Sequence, residues 1–266
     1  MLEIRGLYKT FGKGTVNEHT ALKNVSLTVK DDDFVTMLGS NGAGKSTLFG
    51  AIAGTFLVDA GQIILDGKDV TFMPDYKRAR KIGMLFQDPL KGTAPDMTIE
   101  ENLSLAYNQS YRFPLAKAVQ KKDLAVYREK LAAFEMGLED RMKMKVGLLS
   151  GGQRQALTLL MATIAQPHLL LLDEHTAALD PATAEKVLKI TVQIVREQKI
   201  PTMMITHNMQ SALSVGNRTV MMDAGEVILD ISGDERAQMQ VTDLMNLYAG
   251  KRGKLLDNDR MLLSHT

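Results

Sequence analysis

Nine residues, Gly39-Ser40-Asn41-Gly42-Ala43-Gly44-Lys45-Ser46-Thr47, constrain this chain more than any other stretch. The apolar run 34–38 before them reads as a buried strand, and residues 47–53 after them read as a helix. Glycines at such a junction let the backbone turn tightly and aim its N–H groups at an anion. The positive end of the helix favours negative charge at the same point. Lys45 then suits a bridge between β- and γ-phosphates, and the Ser46 hydroxyl suits Mg2+, a hard cation that takes oxygen ligands. The spacing predicts a loop for the phosphates of a nucleoside triphosphate, set in an α/β fold.

The rest of the pattern agrees. Short apolar segments at 34–38, 82–86, 169–172, 202–205 and 220–222 alternate with helical stretches, as in a largely parallel sheet covered on both faces. Ahead of them, residues 2–7 and 21–29 alternate apolar and polar positions around a polar loop at 12–20, which predicts an antiparallel β portion. Between Pro95 and Leu149 the character turns helical, with Leu124, Tyr127, Leu131 and Phe134 spaced for one buried face. We read residues 1–248 as a single domain with a helical subdomain inserted at about 95–160, and 249–266 as a tail.

Composition narrows the function. A formal net charge of +1 and 5% aromatic residues give nucleic acid little to bind, so no nucleic-acid partner is expected. The absence of cysteine excludes disulfides, thiolate metal sites and cysteine nucleophiles. No window holds 18 consecutive apolar residues, and the longest candidate, 156–172, is broken by Gln166, Pro167 and His168. Any role in transport then requires separate membrane-spanning chains. The 17 methionines, Met203, Met204, Met221 and Met222 among them, read as core filler. The basic clusters Lys77-Arg78-Ala79-Arg80-Lys81 and Lys251-Arg252-Gly253-Lys254 read as solvated faces, the second with some attraction for anionic headgroups.

Two further segments carry chemistry. Asp173-Glu174 follows four leucines, so its carboxylates emerge at the C-terminal edge of a buried strand, where open α/β sheets bind ligands. Asp173 suits Mg2+ held through water, and Glu174 suits orienting and deprotonating an attacking water; the plainer alternative is an acidic pair that caps a helix. Leu149-Ser150-Gly151-Gly152-Gln153-Arg154-Gln155 is a second glycine turn opening a helix, either another anion site or a simple Ser150 N-cap.

In combination and order these motifs resemble those of the ATP-binding-cassette (ABC) ATPases, over about residues 1–248. The resemblance implies a P-loop NTPase (RecA-like) core with a mainly parallel sheet, an N-terminal antiparallel β subdomain and an inserted helical subdomain. It also implies a homodimer in which Ser150, Gly151, Gly152 and Gln153 of one copy close over ATP held by the phosphate loop of the other. By the same resemblance Gln87 is the loop glutamine that senses Mg2+ and water, His207 the switch histidine at the γ-phosphate, and Asp180 the loop aspartate at the dimer seam. Phe11 is the aromatic that stacks on adenine, with Tyr8 as its rival. Lys45, Gln87, Glu174 and His207 then form the catalytic set, with ATP and Mg2+ as cofactors and Ser46, Gln87 and Asp173 as metal ligands. One departure is His175, which stands where the family has proline; it is expected to point to solvent or a neighbouring loop.

Separate cassettes of this kind resemble the energising subunits of transporters, bound to integral-membrane permeases at the cytoplasmic face, often beside a substrate-binding protein. The stretch Asp88-Pro89-Leu90-Lys91-Gly92-Thr93-Ala94-Pro95 sits where family members receive the permease. The loop glycines and Met97-Thr98-Ile99-Glu100-Glu101-Asn102 look nearest to bacterial amino-acid importers, and Gln87-Asp88-Pro89-Leu90-Lys91-Gly92-Thr93-Ala94 together with Asp173-Glu174-His175-Thr176 resembles a branch linked to aromatic amino-acid uptake. A soluble cassette that drives assembly of a cytosolic complex, such as iron–sulfur scaffold machinery, and a nucleotide sensor without turnover are the alternatives.

Overall fold

The computed structural model describes residues 1–108 and 121–252 and divides into two compact units, Met1–Ala79 with the chain from Pro201 onward, and Arg80–Ile200. Residues 109–120 of the predicted helical region, and 253–266 of the predicted tail with Gly253 and Lys254, lie outside the described residues.

The first unit opens with β1 (Leu2–Phe11) and β2 (His19–Val29), paired antiparallel from Leu2↔Val29 to Phe11↔His19. Period-2 alternation buries Val25, Leu27 and Val29 and exposes Ser26 and Thr28, as a half-covered strand requires. Next comes β3 (Phe34–Gly39), buried at every position, then α1 (Lys45–Ala53), β4 (Ala60–Leu65), the short β5 (Lys68–Asp69) and the single turn α2 (Asp75–Arg78). Strands in the order β2-β1-β4-β5 make the predicted antiparallel sheet.

The second unit holds β6 (Ile82–Leu85), α3 (Ile99–Asn108), α4 (Lys121–Ala132), α5 (Gly151–Thr163), β7 (Leu169–Asp173) and α6 (Pro181–Gln198). Parallel pairing runs from Ile82↔Leu169 to Leu85↔Leu172. The four leucines of β7 are fully buried, the mark of a strand covered on both faces. Tyr127, Leu131 and Phe134 are buried as their spacing predicts, and Leu124 is half-buried.

The chain returns to the first unit through β8 (Thr202–Ile205), α7 (Met209–Ser214), β9 (Arg218–Asp223), β10 (Glu226–Ser232), α8 (Gly233–Ala237) and α9 (Val241–Arg252). Strand β3 lies between β8 and β9 and is parallel to both, while β10 turns back antiparallel on β9. Leu38, Met209, Met221, Ile231, Leu244 and Tyr248 share one apolar cluster there. Met203, Met204, Met221 and Met222 are buried, as core filler should be.

Candidate functional site

In the first unit, β3 delivers the chain into the phosphate loop. The loop's bends need glycine: Gly44, the N-cap of α1, has φ +99°, and a Cβ there would lie 2.5 Å from the carbonyl oxygen of Ala21. The loop is braced from outside. Ala43 N–H donates to Ser40 O (3.1 Å), Gly225 N–H donates to Ala43 O (3.0 Å), and Lys23 N–H donates to Gly225 O (2.8 Å). Lys45, almost fully buried, donates from Nζ to Gly39 O (2.7 Å) and Ser40 O (3.0 Å). Asn41 and Gly42 at the loop's crest and Ser46 in the first turn of α1 are exposed, and Thr47 is half-buried. An anion at this crest would meet the positive end of α1, whose first turn carries no acidic residue.

The far end of α1 is fixed by Arg78. Its guanidinium donates to Ala51 O (2.8 Å), Ile52 O (2.9 Å), Thr71 O (2.8 Å) and Met73 O (2.9 Å). Only 1% of the residue is exposed, and burial pulls its pKa below the ordinary arginine value. The reading of Lys77 to Lys81 as a solvated face therefore fails at Arg78, while Lys77 and Arg80 are exposed. The carbonyls of the last turn of α1 give a buried cation its partners, and a charge there opposes the helix dipole's negative end.

His207 also belongs to this unit. Thr206 N–H donates to Met37 O (3.1 Å), so the segment carrying His207 leaves β8 alongside the strand that enters the phosphate loop. Asn208 then caps α7, its side chain accepting from Ser211 N–H at 2.8 Å. Phe11, at the end of β1, is 40% exposed and packs edge-on against Phe56 with ring centroids 5.2 Å apart. Lys9 Nζ sits 5.2 Å from the Phe11 centroid. Tyr8 is exposed to the same degree, so exposure alone does not separate the two.

In the second unit, register explains the second constellation. Leu85 pairs with Leu172, and two residues further along each strand stand Gln87 and Glu174. Gln87 Nε2 donates to Glu174 Oε2 at 3.3 Å. Glu174 has φ +46°, a left-handed turn that ends the strand straight after the half-buried Asp173, and Ala177 N–H closes the turn onto Glu174 O (3.0 Å).

His175 departs from expectation. It is 3% exposed rather than turned to solvent, with Nε2 3.4 Å from Thr191 Oγ1 on α6. The Thr191 hydroxyl donates to Val187 O (2.8 Å), so the ring's Nε2–H is the donor toward Thr191. Burial lowers the His175 pKa to about 4.

The second glycine turn is a helix cap and a groove wall at once. Ser150 caps α5, its Oγ accepting from Gln153 N–H (3.2 Å) while Gln153 Oε1 accepts from Ser150 N–H (3.2 Å). A cavity of about 370 Å3 is lined by Ser150, Gly151, Gly152, Gln153, Leu179 and Asp180, so the second glycine turn and Asp180 face one space. Asp180 caps α6, accepting from Thr183 N–H at 3.0 Å, and hydrogen bonds from the Thr183 hydroxyl and then its amide hold the carboxyl below the usual carboxylate range.

Taken one by one, the residues expected to hold a metal carry oxygen donors of the kind a hard cation takes: a hydroxyl at Ser46, an amide at Gln87 and a carboxylate at Asp173. Among the described residues no three His, Cys, Asp or Glu side chains cluster as a cage.

Sequence patterns missed three contributors: Arg78, the Gly225 turn that braces the phosphate loop, and Thr183 beside the second glycine turn. Their roles depend on partners distant along the chain or on packing, which short motifs do not record.

Comparison with known proteins identifies the family. The family model described as ABC transporter matches residues 22–177. A tyrosine transport ATP-binding protein of Clostridioides difficile is 42% identical over 248 residues, 93% of this chain and 98% of the relative. A methionine import ATP-binding protein, MetN, of Corynebacterium efficiens is 35% identical over 230 residues, 85% of this chain and 61% of that longer protein. The dimeric ATP-binding cassette MJ0796, in a post-hydrolysis state with ADP and Pi, superposes with a TM-score of 0.76 at 28% identity, covering 87% of this chain and 98% of its own. With a family match over more than half its length and a relative alike almost end to end, this chain belongs to the ABC transporter family, as an ATP-binding subunit that hydrolyses ATP.

Proposed function

We propose that this chain powers import of amino acids, the aromatic ones first, through separate integral-membrane permeases. The supporting observation is the 42% identity, across nearly the whole of both chains, to a tyrosine transport ATP-binding protein. None of the described helices is long and apolar enough to cross a membrane. By its likeness to transport ATP-binding proteins, the chain would act as a peripheral subunit at the cytoplasmic face, with a substrate-binding protein in the same system. Residues 1–248 would work as one cassette with its helical insertion at about 95–160.

The chemistry assigned to the residues is positioning plus electrostatics. Loop 39–47 holds the phosphates of ATP, Lys45 bridges the β- and γ-groups, and Phe11 stacks on adenine. Ser46, Gln87 and Asp173 would hold Mg2+, which offsets phosphate charge when bound. Glu174 takes a proton from water as the water oxygen bonds to the γ-phosphorus and the bond to the bridging oxygen of ADP breaks, releasing phosphate. His207 steadies the γ-phosphate. Two copies pair, and Ser150, Gly151, Gly152 and Gln153 of each, with Asp180 at the seam, complete the other's site. Closure and reopening would then alternate the permease's access.

Reconstitution tests the cargo. The chain and the permease encoded beside it, in vesicles loaded with ATP and given their extracytoplasmic binding protein, should accumulate labelled tyrosine and be competed by phenylalanine. Uptake of methionine or a polyamine with none of tyrosine would overturn the aromatic assignment, and ATPase activity unresponsive to any permease would overturn transport.

A further inference from the structure

Gly152 is glycine for a reason that phosphate chemistry does not supply. A Cβ built there would lie 2.4 Å from Cγ2 of Thr183, a separation that two non-bonded carbons cannot share. Backbone conformation does not ask for glycine, because Gly152 lies in the first turn of α5 with no left-handed φ, and alanine forms helices better.

Thr183 is not at liberty to turn aside. Its backbone N–H donates to Asp180 Oδ1 at 3.0 Å, which fixes its place in the first turn of α6. A side chain branched at Cβ on a helix has few χ1 rotamers open to it, so the methyl has little room to swing off Gly152. Next to this contact, a Cβ at Gly151 would stand 3.8 Å from Leu179 Cδ2, an ordinary packing distance, so the tight fit is confined to Gly152.

We infer that Thr183 is a positioning residue that couples the Ser150–Gln153 turn to Asp180: its methyl sets how close the turn lies to α6, and its backbone N–H holds the Asp180 carboxylate, so neither moves alone. The inference rests on reading both segments as facing the nucleotide across a dimer. It adds that the second glycine of the Ser150–Gln153 turn answers to a side chain of its own subunit.

The test is a rescue. Thr183→Ser deletes Cγ2 and keeps the backbone N–H bond to Asp180, so it makes room for a methyl at position 152 while leaving the cap of α6 in place. In the full chain, Gly152→Ala should lower ATP turnover by about tenfold or more, with ATP affinity of the isolated subunit within about twofold, because the Lys45 loop is untouched. Gly152→Ala with Thr183→Ser should recover at least about half of the lost turnover, and ATP-dependent dimerisation in a Glu174→Gln background should recover alongside it. An impaired Gly152→Ala that Thr183→Ser does not improve overturns the inference and leaves the reading of the glycine turn as part of the partner's site standing; wild-type turnover in Gly152→Ala overturns that reading itself. If Gly152→Ala does not fold, the double variant serves instead: Thr183→Ser should restore a cooperative thermal melt to Gly152→Ala, and a double variant that also fails to fold would sink the coupling.

Discussion

His175 puts an ionisable ring directly after Glu174, yet its burial and its contact with Thr191 keep it neutral through the physiological range. The folded pKa, about 4, lies below the ordinary histidine value, so acid favours the unfolded chain, which binds a proton that the folded chain refuses. The resulting stability is full above about pH 6.5 and is lost progressively as pH falls toward 4, by on the order of 2 kcal/mol at pH 5. His175→Gln should remove that component: urea unfolding at pH 7.5 and pH 5 should show a smaller acid loss in the variant than in the wild type. Between pH 6 and pH 8 the two pH–rate curves should share one shape; an inflection near pH 6.5 that vanishes in the variant would contradict the neutral ring. Proximity to an acidic pair made solvent the natural expectation for this residue. What sequence could not convey was that α6 arrives with Thr191 to receive the ring. The site was otherwise legible at this scale wherever residues act through spacing, as in the Gly39–Thr47 loop with its bends and in Gln87 and Glu174, level at their strand ends.

At the scale of elements, α1 illustrates a division of labour. Its start is written in a motif, while its end depends on an arginine in another segment. Arg78 offers its guanidinium to four carbonyls, and deleting it would strand those acceptors in the core. Arg78→Met should cost about 3 kcal/mol and lower the thermal midpoint by roughly 5 °C or more. Arg78→Lys, with three donors in place of five, should recover only part of that loss. Unchanged melting in Arg78→Met would show that the bonds add nothing to stability. Strands 34–38, 169–172 and 202–205 were readable because continuous apolar runs mean cover on both faces. By contrast β4, β5 and β10 escaped notice: both residues of β5 and the first half of β4 are exposed, and all of β10 but Ile231 is exposed or half-buried, which blurs the period that signals a strand.

At the scale of the whole molecule, nucleotide handling was legible and cargo was not, because under the proposed function a different chain chooses the cargo. Dimerisation is the property to test here. Glu174→Gln keeps shape and removes the proton acceptor, so it should bind ATP, lose about 10²–10³ in turnover and accumulate as a dimer under Mg-ATP, seen by native mass measurement. A monomer alone under those conditions would refute paired action, and wild-type turnover would refute the role of Glu174. The bracing of the phosphate loop has its own thermodynamic outcome. Since the Gly225 and Ser40 bonds already hold its bends, part of the disorder lost in forming the seat is charged to folding, and what remains for an arriving triphosphate is to draw at least one Lys45 N–H off the Gly39 and Ser40 carbonyls.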